Sequence, residues 1–305
     1  MLLSVVVPAH NVAAYIAPAL DSLFAELPAA SEVIVVDDGS TDGTAQVIDG
    51  YRDRLATIHH PSASGPGPAR NRGAARATGK YLAFHDADDL VLPGRFSAEL
   101  ELLEADPSID LVFGNGIKID PVGRPLGPVI PVRHVRRLSR RTGVAELLRG
   151  SFVYPQALTM RRERFVELGG FIEKPVEDWE FSLKAALSCR LRFLDRPVFA
   201  YRRQEGSVSM REREYAESML DMLQTFVADH AEVKRIAGTR AVRQALARRL
   251  ARCARHRARA GDADSARDAL LRAIELAPGS LRYRWRYLTT ARLGRRRASC
   301  APGTT

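Results

Sequence analysis

The stretch YLAFHDADDLVLP, residues 81–93, joins an apolar segment directly to a cluster of acids. Residues 81–84 have the continuous apolar character of a buried β-strand. Asp86, Asp88 and Asp89 follow within four residues, where that strand is expected to end. Carboxylates this close repel one another and raise each other's pKa. The position therefore needs a nearby positive charge to be tolerated.

Apolar segments of the same kind occur upstream and are separated by segments with helical periodicity. LSVVVP at residues 3–8 and EVIVV at residues 32–36 indicate strands, whereas AAYIAPALDSLFAEL, AQVIDGYRDRL and PARNRGAARATG indicate helices. Strands that are apolar throughout and alternate with helices are typical of a parallel sheet covered on both faces. The sequence predicts an α/β fold with a mostly parallel sheet and helices on both faces.

Polar residues follow each of these predicted strands. AHN ends at residue 11, DDGS covers residues 37–40, and DADD covers residues 86–89. In open parallel sheets, ligands bind beyond the carboxyl ends of the strands. We therefore expect the three polar clusters to meet at one edge of the sheet and to form the functional site.

The acids after the third of these strands have two explanations. Asp86 and Asp88 stand two residues apart, which places both side chains on one face of an extended chain. Such a pair suits Mg²⁺ or Mn²⁺, because these cations bind through one or two carboxylates together with substrate phosphates. Alternatively, the aspartates belong to a turn or cap the helix predicted at residues 94–105.

Two further acidic pairs are also ambiguous. Asp37 or Asp38 is placed to accept a hydrogen bond from a nucleotide base or ribose. The alternative for this cluster is an Asx-type turn that caps the helix predicted at residues 43–55, which explains Thr41 and Asp42. Glu177 and Asp178 begin a predicted helix, where acids are favoured by the helix dipole, and one of them is a candidate general base. The glycine-rich dinucleotide motif and the P-loop lysine motif are missing from the sequence, which weighs against NAD or FAD.

The charge of the chain is divided unevenly. Residues 1–130 carry 9 Lys+Arg and 17 Asp+Glu, a net of −8, whereas residues 131–305 carry 37 and 19, a net of +18. An acidic N-terminal half argues against nucleic acid as a partner. Three widely spaced cysteines indicate reduced thiols in a cytoplasmic protein. Since the sequence has no run of about eighteen apolar residues, we expect no membrane-spanning helix.

The segment after about residue 211 is predicted to be helical and is rich in arginine. Its LRYRWRYL motif, residues 281–288, interleaves aromatic residues with arginines. One interpretation is a set of solvated helix faces. The other is a peripheral contact with the inner face of an anionic membrane, which would suit a lipid-linked acceptor.

Five segments in order resemble the family 2 glycosyltransferases, which are inverting enzymes with the GT-A fold. They are SVVVPAHNVAAYIAPALDSL, EVIVVDDGSTDGT, GPGPARNRGAARATGKYLAFHDADD, EDWEFSLKAAL and YRRQEGSVS. The resemblance covers roughly residues 2–210. It implies a GT-A domain at residues 1–210, and we assign residues 211–305 to an Arg-rich helical C-terminal extension.

The resemblance also implies an activity, inverting transfer of a sugar from a nucleotide-diphosphate donor, most simply a UDP-sugar, to a hydroxyl of a glycan or lipid-linked acceptor. The reaction would depend on Mg²⁺ or Mn²⁺ and serve bacterial cell-surface polysaccharide or glycoconjugate synthesis. Asp86 and Asp88 match the family's metal-binding D-x-D pair, and Asp178 matches its catalytic base. The residues implied to contact the donor are Pro8, Ala9, His10, Asn11, Asp37, Asp38, Arg70 and Asp86.

One departure from the family pattern concerns Gln204, which stands where many relatives carry a histidine near the metal or diphosphate. Glutamine donates a neutral hydrogen bond but carries no charge, so Arg202 or Arg203 would have to compensate.

A non-catalytic binding module with a glycosyltransferase-like fold is an alternative function, although the metal pair and the base are both present. A nucleotidyltransferase is another, although its glycine- and lysine-rich N-terminal loop does not match VPAHNVAAY.

Overall fold

The structure is a computed structural model that describes residues 1–139, 143–203 and 212–298. The chain divides into two compact units, Met1–Gln204 and Glu205–Thr305. The domain boundary predicted between residues 210 and 211 lies outside the described residues and stays a prediction.

The first unit contains nine described strands and eight described α-helices. The strands are β1 Leu3–Ala9, β2 Ser31–Asp38, β3 Ala56–His60, β4 Tyr81–Phe84, β5 Leu90–Val91, β6 Leu111–Ile119, β7 Pro125–Pro128, β8 Leu158–Arg161 and β9 Leu191–Arg202. The helices are α1 Ile16–Glu26, α2 Thr44–Asp49, α3 Pro66–Arg76, α4 Arg95–Ala105, α5 Val132–Leu138, α6 Val144–Leu147, α7 Arg162–Glu167 and α8 Glu177–Ser188. A 3₁₀ turn, Pro155–Ala157, precedes β8.

These strands form one sheet in the order β3-β2-β1-β4-β8-β6-β9-β5, with β7 paired to β6. The pairs β2–β3, β1–β2, β1–β4 and β6–β9 are parallel. Strand β8 is antiparallel to both β4 and β6 and joins the two parallel parts. The predicted α/β fold, with a mostly parallel sheet and a C-terminal helical region, is confirmed.

Helices cover both faces of the sheet, as the uniformly apolar strands require. Alternate residues of β1, such as Val5 and Val7, are fully buried in a cluster that includes Leu20 of α1. Helix α3 lies on the opposite face, where a Cβ added to Gly73 would come within 2.3 Å of a methyl carbon of Val6. Glycine thus lets α3 approach the strand whose carboxyl end carries the first polar cluster.

The second unit consists of helices α9 Glu212–Asp229, α10 Glu232–Ala237, α11 Thr239–Arg259, α12 Ala263–Leu276 and α13 Leu281–Ala298. Its core is rich in alanine, and α11 and α12 contribute much of it. Asp262 caps α12 by accepting a hydrogen bond from the Ser265 amide at 3.1 Å. Within the described ranges, no helix is both long enough and apolar enough to cross a membrane.

Candidate active site

The first two polar clusters meet because β1 and β2 run side by side and end at the same edge of the sheet. Ala9 pairs with Asp37, and His10 Nδ1 lies 2.8 Å from the carbonyl oxygen of Asp38. Asn11 has a φ of 52°, a left-handed conformation that asparagine tolerates, and its Oδ1 accepts the Thr41 amide at 2.8 Å. The residues predicted to line a nucleoside site are therefore neighbours in space.

Both aspartates at the end of β2 have buried side chains that organise nearby loops. Asp38 accepts hydrogen bonds from the Ser64 amide at 2.8 Å, the Ser64 hydroxyl at 2.6 Å and the Gly65 amide at 2.8 Å. Burial alone would raise the pKa of Asp38, but these bonds outweigh it and hold the pKa below its usual value. Asp37 lies 3.2 Å from His59 Nδ1. A nucleoside contact by either aspartate stays a prediction.

Arg70 supplies positive charge to the acids that follow β4. Its guanidinium is almost fully buried; Nη2 lies 2.8 Å from Asp86 Oδ1, and Nη1 lies 2.9 Å from Glu177 Oε1. Burial alone would lower the pKa of Arg70, but the charges of Asp86 and Glu177 outweigh it and raise the pKa. Arg70 thus joins the carboxyl end of β4 to the first turn of α8. Its predicted contact with the nucleotide remains untested.

The other two acids of the cluster differ in their surroundings. Asp89 is fully buried and accepts hydrogen bonds from Gln156 Nε2 at 3.1 Å and from the Arg202 amide at 2.9 Å. Asp88 has its pKa raised to about 6 by burial and by the charge of Asp86, which Arg202 and Arg70 partly offset. Arg202 Nε also donates to the Asp88 carbonyl oxygen at 3.1 Å.

The alternative interpretation of these acids is confirmed for the turn and wrong for the helix cap. Helix α4 begins at Arg95, its N-cap is Gly94, and no side chain caps it. The acids instead lie in a turn, in which the Asp89 amide donates to the Asp86 carbonyl oxygen at 3.1 Å. Helix capping therefore does not account for three carboxylates at this position.

Asp178 occupies the second position of α8 and has a fixed orientation. The Ser151 hydroxyl donates to its Oδ2 at 3.0 Å, and the Trp179 amide donates to its Oδ1 at 2.7 Å. Burial and the charge of Glu177 raise the pKa of Asp178 to about 6, although both hydrogen bonds and Arg70 oppose this. A carboxylate with this pKa is ionised at neutral pH and can still accept a proton.

The backbone just before Asp178 is strained. Val176 has a φ of 66°, a left-handed conformation that is an outlier for a β-branched residue, and its side chain is buried. Strain of this kind persists only where the surrounding structure enforces it, and it occurs frequently at functional sites. Val176 is the N-cap of α8 and lies two residues before Asp178.

Comparison with known families identifies this arrangement. The model of glycosyl transferase family 2 matches residues 4–169, which is more than half of the chain. The chain belongs to glycosyl transferase family 2. It is therefore a glycosyltransferase that depends on a nucleotide sugar.

Two bacterial relatives of this transferase agree with the assignment. The glycosyltransferase EpsJ of Bacillus subtilis (strain 168) is 30% identical over 73% of the chain and 67% of EpsJ. The putative teichuronic acid biosynthesis glycosyltransferase TuaG, from the same strain, is 34% identical over 33% of the chain and 42% of TuaG.

Solved structures resemble the transferase in fold. S. aureus TarS, residues 1–349 in complex with UDP-GlcNAc, has a TM-score of 0.71 and 21% sequence identity and matches 98% of this chain and 92% of that one. The mannosyltransferase PcManGT from Pyrobaculum calidifontis, in complex with GDP-Man and Mn²⁺, has a TM-score of 0.60 and 21% identity, covering 95% of this chain and 84% of that one. At these identities the likeness shows the fold alone.

The acids of the transferase that follow β4 fit a hard divalent cation whose remaining coordination positions the donor would fill. Across the described residues, no group of three or more His, Cys, Asp or Glu side chains is arranged to hold a metal by itself. Asp86 and Asp88 nevertheless provide two carboxylates, and mutual repulsion in a buried position contributes to the raised pKa of Asp88. Mg²⁺ and Mn²⁺ often bind through one or two carboxylates and fill the remaining positions with water and substrate phosphates.

Several residues of the site had no recognisable signal in the sequence. Ser151 belongs to a loop with no motif, yet it orients Asp178. Tyr154 has its pKa raised by burial and by the charge of Asp178, which places the phenol near that carboxylate. The sequence indicates Arg202 only as a substitute for the charge missing at Gln204, which lies outside the described residues. No local pattern distinguishes these residues, because their roles come from the tertiary fold.

Proposed function

We propose that the transferase moves a sugar, with inversion, from a UDP-sugar to a hydroxyl of a glycan or lipid-linked acceptor. The observation that supports this best is the double ion pair of Arg70, which draws Asp86 and Glu177 to one guanidinium beside Asp178. The predicted metal pair and the predicted base thus share one neighbourhood. Family membership supports the reaction class, and the arrangement of these side chains supports their candidate roles.

The donor half of this site consists of the residues after β1, β2 and β4. Pro8, Ala9, His10 and Asn11 together with Asp37 and Asp38 would contact the nucleoside, since they line the adjoining strand ends. Asp86 and Asp88 would hold Mg²⁺ or Mn²⁺ together with the donor diphosphate. When bound, the cation offsets the negative charge that develops on the leaving diphosphate.

Asp178 is the residue proposed to take the proton from the acceptor hydroxyl. As the hydroxyl oxygen forms a bond to the anomeric carbon, the bond from that carbon to the diphosphate oxygen breaks with its electron pair. The proton moves to a carboxylate oxygen of Asp178, and the single displacement inverts the anomeric configuration. Hydrogen bonds from Ser151 and the Trp179 amide hold the carboxylate in place for this step.

The UDP-sugar donor and the cell-surface acceptor are inferred from relatives. TarS is known in complex with UDP-GlcNAc, and PcManGT with GDP-Man and Mn²⁺. TuaG is named as a putative glycosyltransferase of teichuronic acid biosynthesis. A UDP-sugar is the donor we propose, with Mn²⁺ or Mg²⁺ as the cation.

A thermal-shift screen of nucleotide sugars with and without Mn²⁺ tests this proposal. A ligand that binds only the folded protein raises its stability in proportion to RT ln(1 + [L]/Kd). We expect a UDP-sugar to raise the Tm only when Mn²⁺ is present, and we expect Asp88→Asn to abolish that rise.

Asp49→Asn is the matched control, because it removes an exposed carboxylate on α2. It should preserve the full ligand-dependent shift. A screen in which no nucleotide sugar changes the Tm, or in which Asp88→Asn responds like the wild type, would contradict the proposal.

A further inference from the structure

Helix α13 packs against the second unit through one well-defined face. Tyr283 and Tyr287 contact the alanine-rich core of this unit, and Thr290 is buried. Arg267 of α12 donates from Nη2 to Tyr287 Oη at 3.3 Å. These contacts fix which side of α13 faces inward.

The opposite side of α13 exposes an apolar stripe. Leu281 is 77% exposed, Trp285 is 67% exposed and Leu288 is 60% exposed. With about 100° of rotation per residue, these three side chains fall within an arc of about 60° on the helix surface. Single exposed apolar residues are common on monomeric proteins, but an aligned row that includes a tryptophan is typical of an interaction surface.

Arginines flank this stripe on both sides. Arg282 and Arg284 are exposed, and residues 281–290 contain three arginines and no acid. From α11 to the end of α13, residues 239–298, seventeen arginines stand against four acidic residues, a net charge of +13. The surface therefore combines apolar side chains with a strong excess of positive charge.

A groove of about 350 Å³ lies between α11 and α13, on the side of α13 that carries Arg286 and the buried Thr290. Its lining combines the apolar side chains Ala251, Ala254, Ala258 and Leu270 with Arg255, Arg259 and Arg286. Burial and the neighbouring charges of Arg282 and Arg255 lower the pKa of Arg286. Within the described part of the chain, Arg255 and Arg286 form no ion pair with a carboxylate. An anionic partner would relieve this repulsion.

We propose that α13 lies flat on an anionic phospholipid bilayer. The stripe of Leu281, Trp285 and Leu288 would enter the boundary between headgroups and acyl chains, and Arg282 and Arg284, which flank the stripe, would bind lipid phosphates. Apolar side chains on one face, tryptophan among them, with arginines beside them are the pattern of an interfacial helix. Anionic lipids attract each arginine near the surface by about 1 kcal/mol.

Charge complementarity favours a bilayer over a second copy of the chain. A two-fold contact through the stripe would set the arginines beside it against the same arginines of the partner. Like charges across an interface oppose association. The proposal depends on neither the donor nor the acceptor, and its test requires no enzymatic activity.

The test is co-sedimentation of the full chain with vesicles of phosphatidylcholine alone or mixed with phosphatidylglycerol. We expect binding to the anionic vesicles at low salt, weakening as salt rises, and little binding to the neutral ones. Trp285→Ser combined with Leu288→Ser should weaken the binding at least about tenfold, because two apolar side chains no longer enter the membrane. Ile236→Ser, at a position 43% exposed on α10, is the matched control and should bind normally.

A charge reversal tests the arginines that flank the stripe. Arg284→Glu should weaken binding to anionic vesicles on the order of tenfold or more. Arg272→Glu, which reverses an exposed arginine of α12, should have a much smaller effect. Since both variants change the net charge equally, a difference between them reports on the position of the arginine beside the stripe.

Tryptophan fluorescence measures directly how deeply α13 enters the membrane. The chain has two tryptophans; Trp179 is fully buried and Trp285 is exposed, so lipids with brominated acyl chains should quench only Trp285. The proposal is overturned by any of four results: no binding to anionic vesicles, equal binding to neutral ones, equal binding by the Trp285/Leu288 variant, or no quenching. It is also overturned if the lipid-free chain forms a dimer that the Trp285/Leu288 variant does not form.

Discussion

Replacement of Asp178 by asparagine should stop sugar transfer and, at the same time, stabilise the folded protein. The carboxylate has its pKa raised from 3.8 to about 6 by burial and by the charge of Glu177. Its ionisation therefore destabilises the folded state at neutral pH. Asparagine cannot ionise, and it cannot accept the proton of an acceptor hydroxyl.

The size of the stabilisation follows from the two pKa values. The unfolded chain releases the proton near pH 3.8 and the folded chain near pH 6, so stability falls as pH rises between these values. Above pH 6 the full difference is roughly 3 kcal/mol, the upper limit for Asp178→Asn. In a domain of this size, that corresponds to a rise in Tm of about 6–12 °C. Below pH 4 the variant and the wild type should be equally stable.

The substitution preserves much of the local hydrogen bonding. The asparagine carbonyl can still accept the Trp179 amide, and the Ser151 hydroxyl can accept from the new amide group instead of donating. Unfolding should be measured at pH 8 and at pH 4, with Asp49→Asn as control, and transfer should fall at least about 100-fold. The reasoning is refuted if Asp178→Asn is no more stable than the wild type at pH 8, or if it retains normal transfer.

Three other outcomes are expected. In the wild type, kcat/KM should fall about tenfold per pH unit below about pH 6 as Asp178 is protonated. Glu177→Gln should move this acid limb to lower pH, and Glu101→Gln on the exposed side of α4 should not; an unmoved limb in Glu177→Gln would count against the assignment. Arg70→Met should cost about 3–5 kcal/mol in urea unfolding, because it leaves Asp86 and Glu177 without their cation. Arg76→Met, at an exposed position of the same helix, should cost little, and equal losses would contradict this account. A chelator should remove the stabilisation of the wild type by UDP. Stabilisation by UDP that survives the chelator would contradict a metal-dependent donor site.

The parallel part of the fold could be predicted because its signal is local. Residues 5–7 and 33–36 are apolar without interruption, and the segments between the strands have helical periodicity. The insertion of β8, Leu158–Arg161, between β4 and β6 could not be predicted. Its partners are distant in sequence, and nothing in four residues specifies an antiparallel neighbour.

The site could be predicted to the same extent and for the same reason. Parallel strands end at one edge of a sheet, so the polar residues after β1, β2 and β4 had to be neighbours. The ion pair of Arg70 with Glu177 joins residues 107 positions apart, and no local pattern encodes it. The raised pKa of Asp178 depends on burial, which only the folded chain determines.

The central claim is that Asp86 and Asp88 hold a cation in the same cleft that contains Asp178. Anomalous diffraction at the manganese edge, from crystals soaked with UDP and Mn²⁺, measures this directly. The account predicts one strong peak within coordination distance of the Asp86 or Asp88 carboxylate and of a diphosphate oxygen, with Asp178 facing the same cleft. Bound UDP with no manganese at these two aspartates, or with Asp178 facing a different surface, would contradict it.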